Sequence, residues 1–235
     1  MIYVTSDIHG EFEKFRKLVE EEIQLKEEDV LYVLGDVIDR GPHPIKVLRY
    51  MMAKPNIFPI IGNHELMAYF GLNLALKEVT AEFTESLTAE DMGKLADWMC
   101  NGGESTLAEF SKLSPEEREY VMEYLEEFEP YAMVSVEGIN YLLVHAAISN
   151  FSPGRSMDDY DIDELVWERV DFERAYSSNY FAVSGHTPTQ MIIDNPKPGY
   201  IFRKNNHIAI DCGACFEDGQ LAALCLDTGK EYYVR

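Results

Sequence analysis

The first third of the chain alternates dense apolar runs with segments of helical periodicity. The apolar runs lie at 2–6, 30–36 and 57–63, and the second is too dense to alternate, as expected for a strand buried on both faces. Between them, residues 11–22 repeat apolar side chains at helical spacing, and residues 44–52 form a second such segment that begins with a proline. This order of strands and helices predicts a parallel sheet with right-handed crossovers, and therefore an α/β fold.

The central segment, about 66–130, is acidic and has helical character. A helix start is clearest at Ser114, since Pro115 follows at the first helical position and Glu117 completes a capping box. Pro130 should end that helix. We interpret the acidic side of this helix as a solvated face rather than as a binding site.

The last part of the chain is rich in short β-type runs. A hairpin is predicted over 133–147, with its turn near Gly138. Further short β-rich runs occur at 181–186, 191–193, 200–203, 207–212, 221–226 and 231–234. Because the sequence shows no repeat and no linker, residues 1–235 are expected to form a single domain.

Composition narrows the class of protein. Apolar residues make up 46% and charged residues 26% of the chain, as in ordinary globular proteins. The formal net charge of −22 disfavours nucleic acids and anionic membranes, because both present phosphate charge. We therefore expect no nucleic-acid partner and no membrane partner.

The four cysteines are too few to form a disulfide framework in a chain of this length. Cys212 and Cys215 form one CxxC pair, which we interpret as buried thiols because a second CxxC is missing. No signal peptide and no membrane-spanning apolar run is visible. The expected compartment is the cytoplasm.

Polar side chains with metal-binding chemistry follow several of the predicted strands. Parallel strands end at one edge of a sheet, and ligands bind at that edge. Any one of these residues could be explained by turn chemistry or as a surface histidine, but their joint placement is difficult to explain by chance. Four of the six histidines share it, whereas His43 and His207 do not and are interpreted as structural. The residues at the edge are Asp7, His9, Asp36, Asp39, Arg40, Asn63, His64, His145 and His186.

A mixed set of carboxylate, imidazole and amide ligands suits manganese, iron or zinc better than magnesium or calcium. Two such ions about 3.5–4 Å apart can share a carboxylate and activate a water for hydrolysis of a phosphate ester. Such a reaction also needs an arginine for the phosphate and a histidine outside the metal shell, which protonates the leaving oxygen.

Five ordered motifs now make a family resemblance visible. They resemble the signature of the metallophosphoesterases, and more narrowly the phosphoprotein phosphatases that act on serine and threonine, in their compact bacterial and bacteriophage form. The motifs are DIHG (7–10), GDVIDRG (35–41), GNHE (62–65), VHA (144–146) and GHT (185–187). The resemblance implies a layered sandwich of two mixed β-sheets flanked by helices, with a helical insertion at about 66–130.

The resemblance also implies roles for individual residues. Two divalent ions, most consistent with Mn²⁺ although Fe and Zn fit as well, would share Asp36. The first ion would add Asp7 and His9. The second would add Asn63, His145 and His186, and Asn63 would also contact the phosphate.

The resemblance assigns the remaining chemistry to four residues. His64 matches the general acid and a phosphate contact, and Asp39 matches the carboxylate that pairs with it. Arg40 matches the first phosphate-binding arginine. For the second, Arg169 is the candidate, followed by two other arginines. Those two are Arg155 and Arg174.

Three functions remain open from the sequence. The leading one is dephosphorylation of phosphoserine and phosphothreonine proteins or peptides by a water that bridges two metals. A symmetrical bis(5'-nucleosyl)-tetraphosphatase would share the fold, but Asp39 and Glu65 favour the protein phosphatase. A non-catalytic phosphate-binding scaffold is disfavoured because no ligand position and no acid histidine has been lost.

Overall fold

The computed structural model describes residues 1–77 and 80–235. Within these residues the chain forms strands that assemble into two five-stranded sheets. The strands are β1 (Ile2–Thr5), β2 (Val30–Leu34), β3 (Ile57–Ile60), β4 (Tyr131–Val136), β5 (Ile139–Val144), β6 (Tyr180–Ser184), β7 (Phe202–Lys204), β8 (His207–Ala209), β9 (Leu221–Cys225) and β10 (Glu231–Val234).

The first sheet has the order β10-β9-β1-β2-β3. Its strands β1, β2 and β3 are parallel, which confirms the prediction from the first third of the sequence. Strand β9 pairs with β1 in antiparallel orientation, and β10 pairs antiparallel with β9. The sheet is therefore mixed, and the carboxyl ends of β1 to β3 share one edge.

The second sheet has the order β4-β5-β6-β8-β7. Strands β5, β6 and β8 are parallel, while β4 and β7 pair antiparallel at the two edges. The predicted hairpin is present as β4 and β5. Glu137 and Gly138 form its turn with φ of 49° and 82°, and such positive values match the twist of a two-residue hairpin.

One predicted β segment is wrong. Residues 191–193 form no strand, and Thr189–Met191 is a short 3₁₀ turn instead. The reason lies in the flanking contacts. The Thr189 amide donates to the carbonyl of Asp211, and the Asn195 side chain donates to the carbonyl of Thr189, so both backbone groups of Thr189 are used outside a ladder.

The helices connect and cover the sheets. The first helix of the chain continues directly into a π-helical turn, Leu18–Glu22. The helices are α1 (Phe12–Lys17), α2 (Pro44–Met52), α3 (Asn63–Ala75), α4 (Ala81–Ser86), α5 (Ala89–Cys100), α6 (Glu104–Phe110), α7 (Pro115–Glu126) and α8 (Asp163–Val166). The insertion thus comprises α3 to α7 and begins at Asn63, slightly before the predicted boundary.

The start of α7 confirms the predicted capping box. The Glu117 amide donates to Ser114 Oγ at 3.2 Å, and the Ser114 amide donates to the Glu117 carboxylate at 2.8 Å. These two bonds satisfy amides that a helix N-terminus leaves without partners. The helix ends at Glu126, before Pro130, as expected.

Two apolar layers hold the strand ends in place. The layer between the sheets contains side chains from both, among them Val4, Leu34 and Leu143. The opposite face of the first sheet packs against the helices through a larger cluster that includes Phe15 and Trp98. The sandwich of two mixed sheets flanked by helices is therefore as the resemblance implied. The four cysteines are unpaired. Cys212 is buried as predicted, whereas Cys215 is only partly buried.

No helix in the described ranges is long and apolar enough to cross a membrane.

Candidate active site

The loops that leave β1 and β2 remain hydrogen-bonded to each other beyond the strands. The Asp7 amide donates to the Gly35 carbonyl at 3.0 Å, and the His9 amide donates to the Asp36 carbonyl at 2.9 Å. Gly35 has φ of 74°, and a Cβ there would lie 2.6 Å from the Cα of Gly62. Only glycine permits this approach, so the ends of β1, β2 and β3 converge.

Several of the converging residues have strained backbones. A positive φ is uncommon for residues other than glycine, and such strain is concentrated at functional sites. Six of the predicted site residues have it: Asp7 (51°), His9 (46°), Asp36 (52°), Asp39 (67°), Arg40 (64°) and His186 (64°).

Asp36 lies at the centre of the site and faces two sets of side chains. Its Oδ2 is 3.6 Å from His9 Nε2 and 3.9 Å from His64 Nε2. Its Oδ1 is 3.4 Å from His145 Nε2. Two groups therefore have ligand atoms within 4.8 Å of one another, His9 with Asp36 and His64, and Asp36 with His145 and His186. The carboxylate is common to both.

Three of the histidine rings are oriented by backbone carbonyl groups. His9 Nδ1 lies 3.0 Å from the Ile38 carbonyl, and His145 Nδ1 lies 2.7 Å from the Leu34 carbonyl. His186 makes the same contact through Nε2, which lies 3.0 Å from the carbonyl of Trp167. A nitrogen that faces a carbonyl must carry the proton, so the other ring nitrogen is free to accept or to bind a metal.

Asn63 joins the second group of ligand atoms. It is the first residue of α3, and its Oδ1 lies 3.0 Å from both His145 Nε2 and His186 Nδ1. Those are the two ring nitrogens that the carbonyl contacts leave without a proton. Three electron-pair donors, from the segments that follow β3, β5 and β6, therefore converge on one point.

Asp7 lies beside the site but belongs to neither group of three. Its carboxylate accepts from the His186 amide at 3.1 and 3.0 Å. Burial, followed by the neighbouring charges of Asp211 and Asp36, raises the pKa of Asp7 well above its usual value. The sequence-based prediction missed Asp211, which is buried just beyond β8. The signal was available, because Asp211 also follows an apolar strand, but that segment was interpreted through its cysteines.

His64 and Asp39 are in direct contact, as the resemblance implied. His64 Nδ1 lies 2.8 Å from Asp39 Oδ2, and both side chains are buried. Arg40 donates through Nη2 to His64 Nε2 at 2.9 Å and through Nη1 to His9 Nε2 at 2.7 Å. Burial and, next, the charge of Arg40 lower the pKa of His64 to about 3, so the ring is neutral in this arrangement. Burial raises the pKa of Asp39 to about 6.

The three candidates for a second arginine are placed differently. Arg155 forms a two-pronged ion pair with Glu164, at 3.0 and 2.7 Å, which occupies its guanidinium. Burial lowers the pKa of His186, and the contact with the Trp167 carbonyl opposes that effect. The charge of Arg169 lowers the pKa further, so Arg169 lies near the site. Arg174 shares with Arg169 a cavity of about 480 Å³.

Glu65 has a second role that the sequence did not reveal. Its carboxylate accepts from the amides of Asp36 and Gly62 at 2.8 and 2.9 Å through one oxygen, and from the Val37 amide at 2.9 Å through the other. It therefore connects the loop after β2 to the start of α3. Burial raises the pKa of Glu65 to about 7.

The family model of the calcineurin-like phosphoesterases matches residues 1–235. The chain belongs to this family. The family is that of the metallophosphoesterases.

Relatives of this phosphoesterase carry two different names. A symmetrical bis(5'-nucleosyl)-tetraphosphatase of Buchnera aphidicola is 36% identical over 102 residues, which cover 42% of this chain and 37% of the relative. The chain thus matches little more than a third of that relative's length. Serine/threonine-protein phosphatase 2 of Escherichia coli is 27% identical over 226 residues, which cover 91% of this chain and 87% of the relative. The crystal structure of a putative diadenosine tetraphosphatase shares the fold, with a TM-score of 0.60, 17% identity, and coverage of 99% of this chain and 92% of the other.

Membership of the family implies a site for two divalent metal ions, and the residues of this phosphoesterase fit it. Asp7, Asp36 and Asp211 are buried, and burial together with neighbouring carboxylates raises the pKa of Asp7 and Asp36. Burying several carboxylates together is costly unless a cation neutralises them. Imidazole nitrogens that carry no proton, together with an amide oxygen, complete a donor set of the kind that binds transition metals.

Proposed function

We propose that residues 1–235 act as one catalytic domain, a dinuclear-metal phosphomonoesterase that dephosphorylates phosphoserine and phosphothreonine in proteins or peptides. The proposal depends most on the buried pair of His64 and Asp39, whose ring nitrogen and carboxylate oxygen lie 2.8 Å apart. A positioned acid of this kind matters most when the leaving group is a basic alkoxide.

Six residues would hold the two ions. We assign Asp36 to both, because its two oxygens face different histidines. The first ion would be bound also by Asp7 and His9, and the second also by Asn63, His145 and His186. When bound, the ions would lower the pKa of a water and polarise the phosphate, and Mn²⁺ is the ion we expect.

The protein groups then orient and protonate the substrate. Arg40 lies at the exposed mouth of the site and now contacts two ring nitrogens, which a phosphate dianion would replace as its acceptors. Once Arg40 bonds to the phosphate, the Nε2 of His64 is free to carry a proton. Asp39 stabilises that imidazolium through the bond to Nδ1, and Nε2 donates the proton to the leaving oxygen. Arg169 and Asn63 would contact the phosphate from the other side.

A second candidate is a symmetrical bis(5'-nucleosyl)-tetraphosphatase, because relatives with that name match part of this chain. Two arguments favour the protein phosphatase. The E. coli relative with that name matches over 91% of the chain. A nucleoside diphosphate leaves as a phosphate anion whose pKa is about 6, so its departure needs little help from a buried acid.

The test is a comparison of kcat/KM on a phosphothreonine peptide and on diadenosine tetraphosphate, with the same Mn²⁺-loaded preparation. We expect the phosphopeptide to be the better substrate. Its phosphate should be released whether or not a nucleotide is present. A preference for the dinucleotide would support the second candidate and contradict the first.

A further inference from the structure

Asp39 receives hydrogen bonds from two residues of the helical insertion. Trp98 Nε1, from α5, donates to Asp39 Oδ2 at 2.9 Å, the same oxygen that faces His64. Thr106 Oγ1, from α6, donates to Asp39 Oδ1 and accepts from the Asp39 amide at 3.0 Å. The carboxylate is thus held at both oxygens, and its own backbone is tied to the same hydroxyl.

The two donors are themselves immobilised. Trp98 and Thr106 are both 0% exposed. The indole is enclosed by glycines, since a Cβ on Gly71 would lie 2.1 Å from it and one on Gly103 would lie 2.5 Å from it. Neither glycine could carry a side chain without displacing the ring. The geometry therefore leaves the indole one position, in which its N–H faces Asp39.

The same part of the insertion also fixes the backbone next to Asp39. The Arg40 amide donates to the Gly102 carbonyl at 3.0 Å, in the turn between α5 and α6. Asp39 and Arg40 both have positive φ, with values of 67° and 64°. A strained conformation persists only where its surroundings over-determine it. Trp98, Gly102 and Thr106 supply that constraint.

We propose that Trp98 and Thr106 are positioning residues for protonation of the leaving group, and act through Asp39 on His64. The inference rests on the proposed function and assigns the insertion a part in it. An Asp39 carboxylate held by three donors has no freedom to rotate away from His64 Nδ1. The ring is then held with Nε2 toward the leaving oxygen, and its positive charge is stabilised when it forms. The family assignment accounts for Asp39 and His64, whereas these two donors belong to this chain's α5 and α6.

The first test uses substitutions that remove one donor and keep most of the volume. In Trp98→Phe and Thr106→Val we expect kcat on a phosphoserine peptide to fall about 10-fold, which is part of the ~10²–10⁴-fold contribution of a general acid. KM for the peptide and kcat on an aryl phosphate such as p-nitrophenyl phosphate should change less than about twofold, because an acidic phenol leaves with little help. Thr106→Ser keeps the hydroxyl and should restore kcat.

Phe110→Leu is the matched control, because Phe110 is buried in α6 and has no polar group. It should lower the melting temperature as the positioning variants do, and leave the ratio of peptide to aryl rates unchanged. A double-mutant cycle then asks whether Trp98 acts through Asp39. In an Asp39→Asn background, Trp98→Phe should add almost nothing to the loss on the peptide.

The contact has a readout that needs no metal and no turnover. The chain has two tryptophans, so its indole N–H region holds two NMR signals, and Trp98→Phe identifies one of them. Asp39→Asn should shift that signal and speed its hydrogen exchange, while the Trp167 signal stays in place. Equal rate losses on peptide and aryl phosphate, additive effects in the cycle, or an indole signal that ignores Asp39→Asn would each overturn the proposal. A wild-type enzyme that turns over only the dinucleotide would instead contradict the proposed function, and the indole signal would then decide the positioning claim.

Discussion

Asp36 Oδ1 lies 3.4 Å from His145 Nε2, although the two residues follow strands of different sheets. The other oxygen of Asp36 lies 3.6 Å from His9 Nε2, at the end of the neighbouring strand of its own sheet. A single carboxylate therefore joins the ligand groups of the two sheets. This position supports our assignment of Asp36 as a ligand shared by both metal ions.

Replacement of Asp36 by Asn should remove the shared negative charge and keep the side-chain shape. We expect at least one metal ion to be lost and activity to fall to background. The fold should persist, since β2 is held by its own sheet contacts. Metal analysis by mass spectrometry, together with circular dichroism, measures both effects. Normal metal content with normal turnover would contradict the bridging assignment.

Removal of the metal ions should abolish activity. After exhaustive chelation and desalting we expect no hydrolysis of a phosphopeptide, and added Mn²⁺ should restore it. Without the metal ions, Asp7 and Asp36 should bind protons more readily than ordinary aspartates do, because burial raises the pKa of each carboxyl. Activity that survives complete removal of metal would exclude the proposed chemistry.

The arginine assignments can be separated by matched substitutions. Arg40→Ala and Arg169→Ala should each lower kcat/KM about 10- to 100-fold, with a lower kcat and a higher KM, because a charged hydrogen bond to phosphate contributes about 1.5–3 kcal/mol. Arg155→Ala serves as the control, since its guanidinium is paired with Glu164. If Arg169→Ala is silent while Arg174→Ala or Arg155→Ala is impaired, the second arginine was assigned wrongly.

We expect the Glu65 carboxylate to stabilise the folded protein. In Glu65→Ala three buried amides lose their acceptor. Each unsatisfied buried group costs about 1–3 kcal/mol, so we expect a clear loss of melting temperature and weaker metal binding through displacement of Asp36. Thermal unfolding beside the exposed substitution Glu123→Gln provides the comparison. A melting temperature equal to that of the control would contradict the connecting role of Glu65.

Local patterns in the sequence accounted for much of the architecture and for much of the cluster of candidate metal ligands. The parallel β1 to β3 followed from apolar runs separated by helical segments, and Asp36 and His145 were found because each directly follows such a run. Trp98 and Thr106 could not be found in this way. They lie 59 and 67 residues from Asp39 in sequence, and their donors meet it only because α5 and α6 fold back over the first sheet. Contacts between residues so far apart in sequence produce no periodic pattern of apolar and polar residues.

Asp211 and the segment 191–193 show two other kinds of error. Asp211 follows an apolar run, as Asp36 does. It was missed because this segment was interpreted only through its cysteines. The run at 191–193 is short, and its neighbour Thr189 is bonded by Asp211 and Asn195 rather than by a strand. In a run of so few residues, single tertiary hydrogen bonds decide the conformation.

The most direct test of the central claim is the leaving-group dependence of His64→Asn at fixed metal occupancy. If His64 protonates the leaving oxygen, the variant should keep both metal ions and lose ~10²–10⁴-fold in rate on phosphoserine. The loss should shrink steadily as the leaving group becomes more acidic across a series of aryl phosphates, and Asp39→Asn should show the same trend more weakly. A rate loss in His64→Asn that is the same for every phosphate ester, or that follows a loss of bound metal, would contradict the account.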